Sequence, residues 1–197
     1  MKLILVRHAV TAETGRRLSG RNPGIPLSTA GVAAANEVSA KLAKLEIDAV
    51  YTSPIQRCRE TAAILARPHG SKPRVRQGLI EVEYGRWSGR TLRSLYRLRA
   101  WKSLMEDPTG FRFPEGETLD EVRRRCARLV THMAENHEKQ TVLAVSHGDV
   151  IRSIVAHSLN GSTDLIHRLH VGPLGITVLE ISPAAGLHLN ILNAPRL

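Results

Sequence analysis

Two short apolar runs in the chain each end abruptly at a histidine. Residues 3–6 are Leu-Ile-Leu-Val and are followed by Arg7 and His8, and the run over 141–146 is followed by His147. Unbroken apolar runs of this length are typical of strands buried on both faces of a parallel sheet. In open α/β sheets, ligands bind at the carboxyl ends of the strands. We therefore expect both histidines at one edge of the sheet, in a ligand site.

The segment after the first strand alternates between helical and extended patterns, which favours an α/β fold. Apolar residues recur at helical spacing from Ser28, a predicted N-cap, to about Leu45, and a short strand is predicted over 48–52. Ser-Pro-Ile-Gln at 53–56 has the composition of a capping box and predicts a helix start there. This start would place Arg57 in the first turn, within reach of the strand edge that carries the first histidine.

Two further helices are predicted in the second half of the chain. Thr-Leu-Asp-Glu at 118–121 is a capping box that opens a helix to about His137. Another helix is predicted to begin near Asp149, which we interpret as its cap, and to close at Asn160-Gly161.

The remaining segments are predicted to be loops and an edge hairpin. Glycine and proline exclude regular structure from residues 9–26, which leaves backbone N–H groups free for a ligand. The composition of 90–117 predicts a helical and loop excursion that covers the site like a lid. Two β-rich runs, 175–182 and 187–192, predict a hairpin at the sheet edge with a turn at 183–186.

The length and composition of the chain indicate which class of protein it belongs to. At 197 residues, with 42% hydrophobic residues, the chain is long enough for a single domain over 1–197 with a substantial core. No apolar run approaches the length of a membrane span, and Arg7 interrupts the first run too early for a secretory signal. Cys58 and Cys126 lie far apart, so we expect reduced packing residues in a cytoplasmic protein that has no membrane partner.

The net charge of +10 raises the question of a polyanionic partner. The basic residues form two internal clusters rather than a tail. The spacing of Arg93 and Arg97, and of Arg124 and Arg128, favours solvated helix faces over a nucleic-acid surface. We therefore expect no nucleic-acid partner, and a charge that steers small anions towards a cleft.

Four segments, in order along the chain, carry a resemblance to a known family. They are Leu-Val-Arg-His-Ala (5–9), Ser-Pro-Ile-Gln-Arg-Cys-Arg-Glu-Thr (53–61), Leu-Ile-Glu-Val-Glu-Tyr-Gly-Arg-Trp-Ser-Gly (79–89) and Val-Ser-His-Gly (145–148). Together they resemble the four signatures of the histidine phosphatase superfamily, which contains the cofactor-dependent phosphoglycerate mutases. The resemblance implies a three-layer α/β/α fold whose central sheet is mostly parallel with an antiparallel edge.

The same resemblance implies roles for four residues of the site. His8 would attack phosphorus as a neutral imidazole and form a phosphohistidine. Arg7, Arg57 and a protonated His147 would bind the phosphate and, by like-charge repulsion, disfavour protonation of His8.

A carboxyl group is also implied, as the proton donor to the leaving alkoxide. Glu81 matches the family pattern, since it precedes the Tyr-Gly pair by three residues, and Glu83 is the second candidate.

Three positions depart from the family pattern. Ala9 replaces the glycine that usually follows the nucleophile, which is costly if the backbone there needs a positive φ. Thr14 stands in place of a frequent asparagine and reaches less far. Asp149 stands where the mutases carry asparagine, and a carboxylate there would repel phosphate unless it caps the following helix.

The substrate wall is predicted beside the phosphate site. The excursion over 90–117 forms part of it, and the predicted substrate-binding residues are Thr14, Ser19, Gly20, Arg21, Asn22 and Gly148. Arg21, Asn22 and Arg86 suggest a polar or acidic substrate tail.

No metal and no cofactor are expected. His167 and His170 are three residues apart in a segment predicted to be irregular or extended, and His132 and His137 are five apart on a helix. Neither pair has the i, i+4 spacing of a helical metal site. The resemblance implies chemistry without a metal as well.

The function favoured by these residues is hydrolysis of a small phosphorylated metabolite by a phosphomonoesterase. Two alternatives stay open: a mutase, and a phosphate-ligand binding module without catalysis. The mutase is disfavoured because mutases are longer and the arginine pair that holds their substrate has no counterpart in 90–117. A homodimer is possible, as in relatives.

Overall fold

A computed structural model describes residues 1–182 and 186–194. Its strands are β1 (Lys2–Arg7), β2 (Ala49–Thr52), β3 (Arg74–Val75), β4 (Thr141–Ser146), β5 (Ile176–Ser182) and β6 (Gly186–Ala194). They form one sheet in the order β3-β2-β4-β1-β5-β6. The pairings among β3, β2, β4 and β1 are parallel, and β5 and β6 add an antiparallel edge.

The helices cover both faces of this sheet. They are α1 (Thr29–Leu42), α2 (Gln56–Ala66), α3 (Leu92–Leu95), α4 (Arg99–Glu106), α5 (Leu119–Asn136), α6 (Gly148–Ser158) and α7 (Leu165–Arg168). Short 3-10 turns lie at Arg67–His69, Gln77–Leu79 and Gly85–Trp87. Among the described residues, no helix is both long and apolar enough to cross a membrane.

Burial on both faces explains why β1 shows no alternation of apolar and polar residues. Leu3 and Leu5 pack in the cluster that contains α5 and α6, whereas Ile4 and Val6 pack in the cluster of α1 and α2. All four side chains are fully buried. The prediction of a three-layer α/β/α fold with a mostly parallel sheet and an antiparallel edge is confirmed.

Two predicted helix starts are confirmed by hydrogen bonds at their caps. The hydroxyl of Ser28 accepts from the Gly31 amide at 3.1 Å, although α1 ends three residues before the predicted Leu45. The Thr118 hydroxyl accepts from the Glu121 amide at 3.1 Å, and the Glu121 carboxylate accepts from the Thr118 amide at 2.8 Å. Both arrangements satisfy backbone N–H groups at the start of a helix, and the second is a complete capping box.

Two other cap predictions are wrong. The helix predicted to start at Ser53 begins at Gln56, and the Ser53 hydroxyl pairs with His147 instead. The helix predicted to be capped by Asp149 begins at Gly148, and no side chain caps it. In both cases a buried partner from another element competes for the polar side chain that would otherwise cap the helix.

Several local predictions about the second half also needed correction. Arg97 lies beyond the end of α3, so Arg93 and Arg97 do not share a helix face, whereas Arg124 and Arg128 are exposed on α5 as predicted. His167 lies on α7 rather than in an irregular or extended segment. The edge hairpin is confirmed as β5 and β6, and its predicted turn includes residues 183–185, which lie outside the described residues.

The register of β1 against β4 brings the two motif histidines together. Arg7 is opposite Ser146, and the amide of His8 donates to the Ser146 carbonyl at 2.9 Å. Because the strands are parallel neighbours, His8 and His147 leave the sheet side by side, with ring centroids 5.4 Å apart.

Candidate active site

A cavity of about 370 Å³ opens where β1 and β4 end. One part of its wall carries polar groups, among them Arg7, His8, Arg57 and Glu81. Other lining residues are apolar, among them Trp101 from α4. The strands and helices thus deliver four of the five predicted catalytic side chains to one cavity.

Two guanidinium groups leave N–H groups without partners at this cavity. One Arg7 Nη donates to the Val171 carbonyl at 2.7 Å, while its Nε is buried and has no hydrogen-bond partner among the described residues. The Nη1 of Arg57 is likewise buried and unpartnered within the described part of the chain. A buried charged donor without an acceptor is costly, so the site favours a bound anion.

The His8 ring presents a lone pair. Its Nδ1 donates to the Ala9 carbonyl at 2.7 Å, so Nε2 is the unprotonated nitrogen and accepts from Arg57 Nε at 3.2 Å. Burial, and then the positive charge of Arg57, lower the pKa of His8 to about 3. His8 is therefore neutral at ordinary pH.

His147 lies behind the cavity wall and is fully buried. Its Nδ1 faces Arg57 Nη2 at 3.1 Å and therefore accepts, so Nε2 donates to the Ser53 hydroxyl at 2.8 Å. Burial, followed by the charge of Arg57, lowers the pKa of His147 well below its usual value. These contacts favour a neutral His147, because an imidazolium would lie buried against a guanidinium; its protonation beside a bound phosphate stays a prediction.

Glu81, and not Glu83, lies at the cavity. Burial raises the pKa of Glu81 despite the opposing charges of Arg57 and Arg7. Its carboxyl group lies 3.6 Å from Nδ1 of His147. Glu83 is directed elsewhere, towards Arg21 at 3.4 Å.

A network of ion pairs holds the backbone of Glu81 in place. Its carbonyl accepts from Arg21 Nε at 2.8 Å and from an Nη of Arg125 at 3.2 Å. Both guanidiniums also pair with the carboxylate of Glu117. This network fixes the segment that carries the carboxyl group.

Of the predicted substrate wall, four residues line the cavity and two do not. Thr14, Ser19, Gly20 and Gly148 line it. Gly20 has a φ of +54°, and its carbonyl accepts from Arg57 Nη2 at 2.8 Å. A side chain there would meet the Ser88 hydroxyl at 2.6 Å, so glycine is required.

Arg21 and Asn22 are not among the lining residues, and neither is Arg86. Arg21 turns to the Glu117 network, and Arg86 is exposed and pairs with Glu115. The prediction that Arg21 and Asn22 line the substrate wall, with Arg86 near a substrate tail, is wrong. Acidic residues of the protein itself bind the two arginines.

The three departures from the family pattern fit the structure without strain at the nucleophile. Ala9 is not among the described residues with a positive φ, and its amide donates to the Thr61 hydroxyl at 3.1 Å. The Thr14 hydroxyl accepts from the Thr11 amide at 2.9 Å, which orders the loop. Asp149 accepts hydrogen bonds from the Tyr84 hydroxyl and from a guanidinium one helix turn on.

Some residues at or beside the cavity were not singled out from the sequence. Ser53 was interpreted as a cap and instead orients His147. Arg152 and His167 both line the cavity. Only Arg152 had a usable signal, because it follows Gly148 by four positions and so shares its helix face.

The cysteines are buried and free, as predicted. Burial raises the pKa of the Cys58 thiol, so it is not a thiolate nucleophile. Within residues 1–182 and 186–194, no group of three or more His, Cys, Asp or Glu side chains is placed to hold a metal ion.

Comparison with protein families gives one match over nearly the whole chain. Residues 3–193 match the family described as the histidine phosphatase superfamily (branch 1).

Individual proteins give consistent similarities. A bifunctional protein of Mycobacterium tuberculosis is 31% identical over 200 residues, which cover 98% of this chain and 53% of that protein. The chain therefore spans about half the length of this relative. Phosphoserine phosphatase 1 of Hydrogenobacter thermophilus is 30% identical over 162 residues, covering 78% of this chain and 74% of that protein.

A solved structure extends the similarity to the fold. A phosphoserine phosphatase mutant from Entamoeba histolytica, determined in complex with phosphoserine, superposes with a TM-score of 0.89 at 26% identity. The alignment covers 98% of this chain and 97% of that one.

Proposed function

The chain belongs to the histidine phosphatase superfamily, and from this premise we propose that it is a metal-independent phosphomonoester hydrolase that acts through a phosphohistidine on a small phosphorylated metabolite. One observation carries the proposal. A neutral His8, whose unprotonated Nε2 faces Arg57, shares a cavity with two guanidiniums that each have a buried N–H group without a partner among the described residues. This arrangement combines a nucleophile with donors for a tetrahedral anion.

In the first step, His8 Nε2 attacks phosphorus and the bond from phosphorus to the ester oxygen breaks. Arg7 and Arg57 donate to the equatorial oxygens, which carry the negative charge of the transition state. The protonated Glu81 gives its proton to the departing alkoxide, so that an alcohol leaves.

In the second step, water attacks the phosphorus of the phosphohistidine. Glu81, now a carboxylate, takes a proton from the water, and the electron pair of the P–N bond returns to Nε2 of His8. The products are inorganic phosphate and the starting enzyme, so atoms and charges balance.

His147 supports this site from behind the wall. Its Nδ1 accepts from Arg57, and its Nε2 is held by Ser53. Direct donation from Nδ1 to the phosphate is part of the proposal. It requires that the anion draw Arg57 away and raise the pKa of His147, as a bound negative charge would.

The segment over 90–117 is proposed to act as a cover for the site. Its Trp101, Leu104 and Met105 line the apolar side of the cavity. A homodimer and a cytoplasmic location stay predictions from the sequence. The binding module without catalysis has no specific support, because the backbone at Ala9 does not have the positive φ that would have strained the nucleophile loop.

Hydrolysis of p-nitrophenyl phosphate tests the proposed function. We expect the purified protein to release nitrophenol and inorganic phosphate in equal amounts, with a rate unchanged after dialysis against EDTA. No release by the wild-type protein would refute the esterase proposal. Activity that vanishes with EDTA and returns with a divalent cation would refute its metal-independent mechanism.

The loss of kcat/KM in Glu81→Gln is expected to depend on the leaving group of the ester. Loss of general acid catalysis lowers kcat/KM for an alkyl phosphate such as glycerol 3-phosphate by about 10²- to 10⁴-fold. The loss for p-nitrophenyl phosphate should be at least 10-fold smaller, since an acidic phenol leaves with little help from a proton donor.

The matched control is Glu83→Gln, whose carboxyl group lies outside the cavity lining. It should change both kcat/KM values less than about 3-fold, because Glu117 still pairs with Arg21 and holds it in place. Equal losses for both esters in Glu81→Gln would remove Glu81 from the role of acid.

A further inference from the structure

Two further polar side chains line the same cavity. Arg152 and His167 both line the cavity, and neither has a part in the phosphoryl chemistry described above. The Nε of Arg152 and the Nε2 of His167 are buried and lack a hydrogen-bond partner in the described part of the chain. A guanidinium nitrogen and a ring nitrogen of this cavity are thus without partners, as the Nε of Arg7 and the Nη1 of Arg57 are.

The orientation of Arg152 is fixed by its neighbours. One of its Nη atoms donates to Asp149, and Asp149 also accepts from the Tyr84 hydroxyl. This pairing leaves the Nε edge of the guanidinium free. Since Arg152 follows Gly148 by four positions on α6, its backbone lies slightly more than one helical turn, roughly 6 Å along the axis, from the glycine beside the phosphate site.

The positive charge of the residues that line the cavity is larger than one phosphate dianion can neutralise. Four arginines line it (Arg7, Arg17, Arg57 and Arg152), against one carboxylate, Asp149, when Glu81 is protonated as the mechanism requires. A phosphate dianion in the first site offsets two of the three surplus positive charges. One positive charge stays without a counterion, which favours a monoanion over a second phosphate.

We propose that Arg152 and His167 form a second anion subsite that binds a carboxylate on the leaving alcohol of the substrate. The proposal rests on the proposed function for the position of the phosphate. Arg152 Nε–H and the Nε2–H of a neutral His167 donate to the carboxylate oxygens. The apolar wall, with Trp101 and Leu104, contacts the carbon atoms between the two anionic groups. The substrate class is thus a short phosphorylated hydroxy acid.

A matched pair of esters isolates the carboxylate. 3-Phosphoglycerate and glycerol 3-phosphate differ at the carbon that is a carboxylate in the first and a hydroxymethyl group in the second. We expect the wild-type kcat/KM to be at least about 10-fold higher for 3-phosphoglycerate, the ratio that a charged hydrogen bond typically supplies.

Variants then assign this preference to the subsite. Arg152→Met is combined with Asp149→Asn so that no carboxylate is left unpaired, and His167→Leu is made separately. Each should lower the ratio of the two kcat/KM values by about 10-fold, with a change below about 3-fold for glycerol 3-phosphate. The control Arg128→Met, on the exposed face of α5, should leave the ratio unchanged.

The outcomes separate this inference from the proposed function. If the wild-type protein hydrolyses both esters and the ratio is near one or survives both variants, the subsite is wrong and the esterase stands. If the wild-type protein hydrolyses neither ester, the proposed esterase function is wrong. Calorimetric measurement of ligand binding to His8→Ala then tests the carboxylate subsite separately. Binding of 3-phosphoglycerate about 10-fold tighter than glycerol 3-phosphate, lost on adding His167→Leu, supports the subsite, and equal Kd values overturn it.

Discussion

His8→Ala is expected to lower kcat for p-nitrophenyl phosphate by about 10⁴-fold or more, as for the loss of other covalent nucleophiles. The reason is the orientation and protonation state of the His8 imidazole. Its Nδ1 is held by the Ala9 carbonyl, its Nε2 carries the lone pair, and its pKa is lowered to about 3. The Cys58 thiol does not line the cavity, and burial raises its pKa.

The lowered pKa gives the sign of the pH dependence. A histidine whose pKa falls on folding stays neutral and nucleophilic as the pH drops from 6.5 towards 3. Protonation of His8 therefore should not limit kcat/KM above pH 4. The unfolded chain binds the proton more readily, so the contribution of His8 to stability is lost over the same interval as the pH falls.

The control for this variant is His132→Ala, a histidine exposed on α5. It should retain kcat within about 2-fold, because a surface substitution far from the site changes little. Retention of more than a tenth of wild-type kcat by His8→Ala would show that another group attacks phosphorus.

Arg57→Lys is expected to lower kcat/KM by about 10²- to 10³-fold, the usual loss on removing a transition-state donor. Its guanidinium contacts His8 through Nε and both the Gly20 carbonyl and His147 through Nη2, and it leaves Nη1 for the anion. A lysine ammonium is a point charge that cannot make these contacts from one plane.

Arg59→Lys is the matched control, since this arginine is exposed on the same helix two residues later. It should stay within about 2-fold of wild type in kcat/KM and in KM. Thermal unfolding of both variants separates catalysis from folding. An Arg57→Lys protein with an unchanged melting temperature and full activity would contradict the assigned role.

The position of the site could be predicted from sequence because it depends on strand polarity. The unbroken apolar runs before His8 and His147 indicate buried parallel strands, and parallel neighbours must end at the same edge. Arg57 followed from its place in the first turn of a helix that begins near this edge. The acid needed the family resemblance, since Glu81 and Glu83 are indistinguishable by local pattern.

The errors arise where one polar side chain had two possible partners. Ser53 and Asp149 are both residue types that favour helix caps, but His147 and Tyr84 come from distant parts of the chain and bind their side chains instead. A local sequence pattern cannot show that such partners lie close by, because tertiary packing determines which distant residues come into contact.

The prediction that Arg21 contacts substrate was wrong for the same reason. A basic residue in a loop beside the site suggests a substrate contact, but Glu117, 96 positions away, pairs with it and directs it to the carbonyl of Glu81. His167 had no sequence signal, since α7 is a single short turn whose place at the cavity follows from the path of the chain after α6.

The central claim is that His8 carries the phosphoryl group during turnover. Rapid quenching in alkali after mixing with p-nitrophenyl phosphate, followed by peptide mass spectrometry, tests it most directly. We expect one added phosphoryl group, stable in alkali and labile in acid, on the peptide that contains His8, and none in His8→Ala. A phosphoryl group on a serine, threonine or cysteine, or turnover with unmodified His8 at every quench time, would contradict the account.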